Sequence, residues 1–112
     1  MAFIKNIPFS QAVDFAGLVE YGAGQIASRT LAQSKFLSLT LFAFDAGEEI
    51  SSHKSSGDAL VQCLDGSVKI TLGDEIHMLK AGESIVMPAG IPHALLAETP
   101  FKMLLTVVFD HC

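Results

Sequence analysis

Tryptophan is absent from the 112 residues, tyrosine occurs once and cysteine only twice. Cys63 and Cys112 have no C-x-x-C spacing, which argues against a disulfide framework. Positive charge is scarce as well: seven Lys and Arg stand against twelve Asp and Glu, a net charge of −5. The few lysines are scattered, so the basic stripe of a nucleic-acid-binding surface is missing. No apolar run approaches the roughly 20 residues that span a bilayer, and no membrane partner is expected. The opening stretch MAFIKNIPFSQAVDF holds neither a long apolar segment nor a small-residue cleavage site, which makes the cytoplasm the expected location.

What is present is apolar. Half the residues are hydrophobic and 17% are charged, which excludes disorder. The length fits one domain over residues 1–112, with room for a single core. Mean hydropathy is +0.45, high for so small a chain, and part of the excess is expected in an oligomer interface.

Helical signal is confined to FSQAVDFAGLVEY, residues 9–21. Ser10 is the candidate cap, Val13 and Leu18 are expected to face inward, and the glycines of GLVEYGAG stop it within a turn or two. The rest reads as strands. QIASRTLAQ is a polar-flanked strand. KFLSLTLFAF is apolar on both faces, so cover is expected on both sides. ALVQCLDGSVKITLGDEIHML divides into three strands joined at the turn dipeptides Asp65-Gly66 and Gly73-Asp74. SIVMPAGIPHALLAE and FKMLLTVVFD complete the set. Short strands at regular spacing with Gly and Pro between them predict an all-β sandwich or barrel.

One stretch concentrates backbone constraint. Gly82 is followed by Pro88, Gly90 and His93 in the pattern G-x5-P-x-G-x2-H, and upstream Gly47 is followed after five residues by His53, with Gly66 ending the next strand. The two segments resemble the paired signature motifs of the cupin superfamily, over about residues 47–97. The resemblance implies a small jelly-roll β-barrel whose mouth often holds a divalent metal. It also implies that the Pro-x-Gly corner aims His93 into the cavity, since proline presets one backbone angle and glycine permits conformations denied to other residues.

The first motif is degenerate. His53 fills its first histidine slot, but Ser55 stands in the second and Ala59 in the glutamate slot, while Ala97 replaces the asparagine of the second motif. Two of the four ligands that the resemblance implies remain, His53 and His93. Zinc usually takes three or more protein ligands, and non-haem iron often takes two histidines and a carboxylate. Asp58, beside the lost glutamate slot, is therefore an additional candidate, and so is His77, which should pair across from Ile70. Cys63 shares strand parity with Ala59 and Val61 and is a candidate cavity residue, although a buried cysteine is more often a small core residue. His111, next to the C-terminus, is expected at a frayed surface.

These readings predict a barrel that binds a small molecule, with His53, Ser55, Cys63 and His93 facing the cavity. Gln62 is a weaker polar candidate because its parity points outward. A divalent ion, Zn, Ni or Fe, is a candidate cofactor at His53 and His93. The alternative is a metal-dependent enzyme of dioxygenase, isomerase or lyase type acting on a small organic acid or sugar derivative, and a scaffold role is the third reading. A homodimer is expected from the apolar load of KFLSLTLFAF and the extended QIASRTLAQ, and the resemblance implies one too.

Overall fold

The computed structural model describes residues 3–110. His111 and Cys112 lie outside the described residues. Among the described residues, nine strands follow one short 3-10 helix, Phe15–Leu18: β1 (Ile26–Gln33), β2 (Leu37–Phe44), β3 (Glu49–His53), β4 (Asp58–Asp65), β5 (Ser67–Leu72), β6 (Glu75–Lys80), β7 (Ser84–Met87), β8 (His93–Ala97) and β9 (Phe101–Val108). They form two antiparallel sheets, one of order β1-β2-β9-β4-β7 and one of order β3-β8-β5-β6. The jelly-roll arrangement expected from the strand pattern and the motifs is the observed one. Among the described residues no helix is long and apolar enough to cross a membrane.

The half-buried alternation holds closely in β5, where Val68, Ile70 and Leu72 are buried and Ser67, Lys69 and Thr71 are partly exposed. Strand side chains alternate between faces, so one face of each sheet meets the other across the interior. Phe44 and Phe101 lie at the centre, both fully buried, with ring centroids 5.4 Å apart in an edge-on contact. A separate cluster sits outside the five-stranded sheet. Leu31, Leu41, Ala43 and Leu104 are buried there beneath Val19, with Ile7, Phe15 and Leu18 packed against them. The N-terminal arm thus supplies part of the second cover that β2 requires. Polar tethers hold it down: the Lys102 Nζ donates to the Ala16 carbonyl at 2.6 Å, and the Tyr21 hydroxyl donates to Asp65 Oδ2 at 2.5 Å.

Two expectations need correction. The helical segment is capped by Asp14, whose Oδ1 accepts from Ala16 N at 3.1 Å, and not by Ser10, which has a φ of 61°. Val13 is 39% exposed. Asp14 prevails because an Asx side chain reaches the amide two residues on. Second, Asp65-Gly66 does not close a hairpin. β4 pairs with β7 and β9, while β5 pairs with β6 and β8, so the chain changes sheets there. Gly66 has φ 72°, and a Cβ on it would stand 1.8 Å from the Pro100 carbonyl oxygen. A corner where one backbone crosses another needs glycine as much as a tight hairpin does, and the dipeptide alone does not separate the two. Gly73-Asp74 does join a hairpin, β5–β6, in register from Ser67↔Lys80 to Leu72↔Glu75.

The Pro88–Pro92 corner behaves as its composition suggests. Gly90 has φ 78°, and nothing lies within 4 Å of where its Cβ would be. The constraint is therefore conformational and not steric. A β-branched residue in the left-handed region is disfavoured by about 1–2 kcal/mol. Gly90→Val is expected to destabilise the protein by that amount in urea unfolding, and an unchanged midpoint would show that the corner does not need glycine.

Candidate functional site

Antiparallel pairing of β3 with β8 makes His53 and His93 direct partners across the ladder. Their side chains meet. The two Nε2 atoms are 3.0 Å apart, with ring centroids separated by 4.2 Å and planes inclined at 67°. Each ring is also held at its other nitrogen: His53 Nδ1 lies 3.0 Å from the Ser51 carbonyl oxygen and His93 Nδ1 lies 3.4 Å from that of Ile91. A carbonyl oxygen only accepts, so each Nδ1 is steered toward carrying the proton and each Nε2 toward presenting a lone pair. At 3.0 Å the two Nε2 atoms need a proton or a cation between them.

The two environments differ. His93 is buried, with 3% of its surface exposed, whereas His53 is exposed at the rim. Burial pushes the His93 pKa below its usual 6.5, the neighbouring His53 adds to the shift, and the Ile91 carbonyl opposes it. His93 is thus kept neutral and able to donate a lone pair near neutral pH.

The turns on either side hold this geometry. Gly90 N donates to the Ser55 carbonyl at 2.9 Å, and Ala89 N donates to Asp58 Oδ1 at 2.8 Å. The corner before His93 is thereby fastened to the loop after His53. Behind the pair lies a cavity of about 90 Å³. Its apolar wall is formed by Ile50, Met87, Leu95, Met103, Leu105 and Val107, with Ser55 and Ala59 beside the two histidines. Among the described residues the lining contains no Asp, Glu, Lys or Arg.

All of the cavity-lining motif slots therefore converge, but only two bring strong donors. His53, Ser55, Ala59 and His93 share the cavity, while the Ser55 hydroxyl accepts from Gly57 N at 3.1 Å and Ala59 offers a methyl group. The further candidates lie elsewhere. Asp58 is turned to Ala89 N, outside the cavity lining, because the unpaired amide of the corner competes for its carboxylate. His77 pairs opposite Ile70 as expected, but β6 is an edge strand, and the ring lies 3.0 Å from Glu75 Oε1 in a separate groove with Leu72 and Ile91. Cys63 is buried as its parity implied, yet at the far end of β4, where its thiol contacts the carbonyls of Asp65 and Gly66. Burial pushes its pKa up to about 11, so the thiol stays protonated. Gln62 belongs to the outer row with Leu104 and Ser84. No group of three or more His, Cys, Asp or Glu gathers among the described residues in a way that could hold a metal.

The two-histidine set nevertheless fits a divalent ion open to further ligands. Imidazole nitrogens bound at about 2.0–2.1 Å, at an angle between about 90° and 109°, stand roughly 2.8–3.4 Å apart. The observed 3.0 Å separation falls within that interval. The apolar lining residues were not identified as site residues from the sequence. The signal was present in the alternation of FKMLLTVV, which places Met103, Leu105 and Val107 on one face of β9 with Phe101.

Comparison with known proteins agrees with this architecture. A conserved protein of unknown function from Streptococcus pyogenes is 44% identical, with a TM-score of 0.97 over 100% of this chain and 98% of its own. A cupin superfamily protein from Desulfitobacterium hafniense is 34% identical, with a TM-score of 0.93 over 97% of this chain and 100% of its own. A cupin 2 conserved barrel domain protein from Leptotrichia buccalis is 47% identical over 83% of this chain and 45% of its own, with a TM-score of 0.80. No curated protein matches the chain. The cupin domain profile matches residues 40–109, which contain β3 to β9 and both histidines. The chain belongs to the cupin family.

Proposed function

We propose that this protein binds a small molecule in the barrel cavity, with a divalent metal held by His53 Nε2 and His93 Nε2 at its mouth. The observation that carries the reading is the 3.0 Å convergence of the two Nε2 atoms, each ring being held from behind by a backbone carbonyl. Zinc, nickel and ferrous iron all suit imidazole. A metal held by the two imidazoles would supply Lewis-acid chemistry toward an oxygen donor.

The cavity's own residues limit the ligand. The cavity is small, at about 90 Å³, and any part of a ligand that it does not hold extends past the exposed His53. The wall has no charged side chain to balance an acidic or basic group at depth. The reading therefore favours an apolar body inside and a polar, oxygen-bearing end at the histidines. A polyhydroxylated sugar placed within the cavity would leave most of its hydroxyls unpaired.

Calorimetric titration of chelator-treated protein with each metal tests the reading. The protein is expected to take up one equivalent, and His53→Ala or His93→Ala to weaken binding at least about tenfold. Asp58→Asn and His77→Gln should leave it unchanged. Equal uptake by a His53→Ala, His93→Ala double variant would reject the site.

The pH dependence has a definite sign. The lowered His93 pKa means that the unfolded chain takes up this proton at higher pH than the folded one does. The stability contributed is complete above about pH 6.5 and declines as pH falls toward the lowered folded-state value. Thermal unfolding of the metal-free protein should show a loss of stability between pH 7 and pH 5 that is smaller in His93→Gln. Parallel curves for the two would contradict it.

A further inference from the structure

Ser55 is held from more than one side. Its hydroxyl oxygen accepts from Gly57 N at 3.1 Å, the local turn that a serine makes with the amide two residues on. Its carbonyl accepts from Gly90 N at 2.9 Å, across the corner that precedes His93. Gly57 in turn is buried, and a Cβ on it would stand 2.6 Å from the Val108 carbonyl oxygen and 2.9 Å from Val107 Cγ1. The turn is therefore pressed against β9 at Val107, which lines the cavity together with Ser55. So close an approach fixes the loop, and Ser55 Oγ with it.

A serine hydroxyl carries one proton and two lone pairs. Gly57 N uses one lone pair, and among the described residues no group accepts the proton. The other polar protons of the lining are committed: His53 Nδ1 faces the Ser51 carbonyl and His93 Nδ1 that of Ile91. The remaining lining side chains are aliphatic or methionine and have no N–H or O–H. Among the described residues the cavity thus offers one uncommitted donor, fixed in place, beside two Nε2 atoms that present lone pairs.

We propose that Ser55 sets the specificity of this site: its hydroxyl donates to an oxygen of a short aliphatic carboxylate whose carbon chain lies against the apolar wall. The proposal rests on the metal-binding reading above. Charge selects the carboxylate. Two neutral imidazoles bring no negative charge to a divalent ion, and the lining has no Asp or Glu to supply it. An anionic ligand supplies it, and a carboxylate keeps a second oxygen free to accept from Ser55 in a charge-assisted hydrogen bond. An ammonium group fails on both counts. It adds positive charge, and its three protons meet only the second lone pair of Ser55.

The test titrates zinc-loaded protein with butyrate and with propanethiol, two probes that carry the same propyl chain. The thiol reaches a metal through sulfur, a weak hydrogen-bond acceptor, and does not call on Ser55. Ser55→Ala should weaken butyrate binding at least about fivefold and thiol binding less than about twofold, with zinc affinity unchanged. Ser55→Thr keeps the hydroxyl and its bond to Gly57 N, and should keep the unaltered protein's ratio of the two affinities. A measurement without any variant covers the case in which Ser55→Ala fails to fold: the NMR signal of the Ser55 β-carbon should move more with butyrate than with the thiol. Equal losses for the two probes, or equal movement of that signal, overturn the assignment of Ser55 and leave the metal site standing. So does an unaltered protein that takes up zinc and not butyrate. An unaltered protein that takes up no zinc overturns both.

Discussion

One backbone hydrogen bond sets the geometry on which the site depends. Gly90 N donates to the Ser55 carbonyl and ties the corner before His93 to the loop after His53. Gly90 reaches that position only in the left-handed region, and the Asp58 carboxylate secures the neighbouring amide. The two histidine-bearing strands then have little freedom to slide. A one-residue slip in either would carry its histidine to the opposite face of the sheet. Local backbone chemistry therefore decides whether two imidazoles meet.

The barrel's apolar load is divided in a way that explains its composition. β2, β4 and β9 each have two apolar faces, which an antiparallel sheet with one wet side would not need. The inner faces build the core around Phe44 and Phe101. The outer faces are met in part by the arm that Tyr21 and Lys102 tether. The high mean hydropathy thus has a partly intramolecular origin.

Much of this was legible in the chain before its structure. The succession of strands along the chain and the half-buried alternation of β5 follow from side-chain period, and the family resemblance implied that His53 and His93 share the cavity. What could not be read depends on competition between elements distant in sequence. Asp58 has the right chemistry for a ligand, but the amide of Ala89, 31 residues away, captures its carboxylate. His77 has the right parity, but parity names a face of the sheet and not a position between its centre and its edge. Cys63 shares a face with Ala59 and sits four residues further along β4, and a strand rises about 3.3 Å per residue. Gly66 shows the same limit, because glycine serves a hairpin and a sheet-to-sheet corner equally well.

Metal binding at the cavity mouth requires that His53 and His93 keep their Nδ1 protons on backbone carbonyls and present both Nε2 atoms to one cation. Long-range nitrogen–proton NMR correlation on the histidine rings, recorded before and after addition of one equivalent of zinc, reads this directly. The account predicts that both rings hold the proton on Nδ1 in the zinc-bound protein, with both Nε2 signals shifted on binding and those of His77 unmoved. Signals from His53 and His93 that zinc leaves unchanged, or an Nε2-protonated form of both rings, would contradict it.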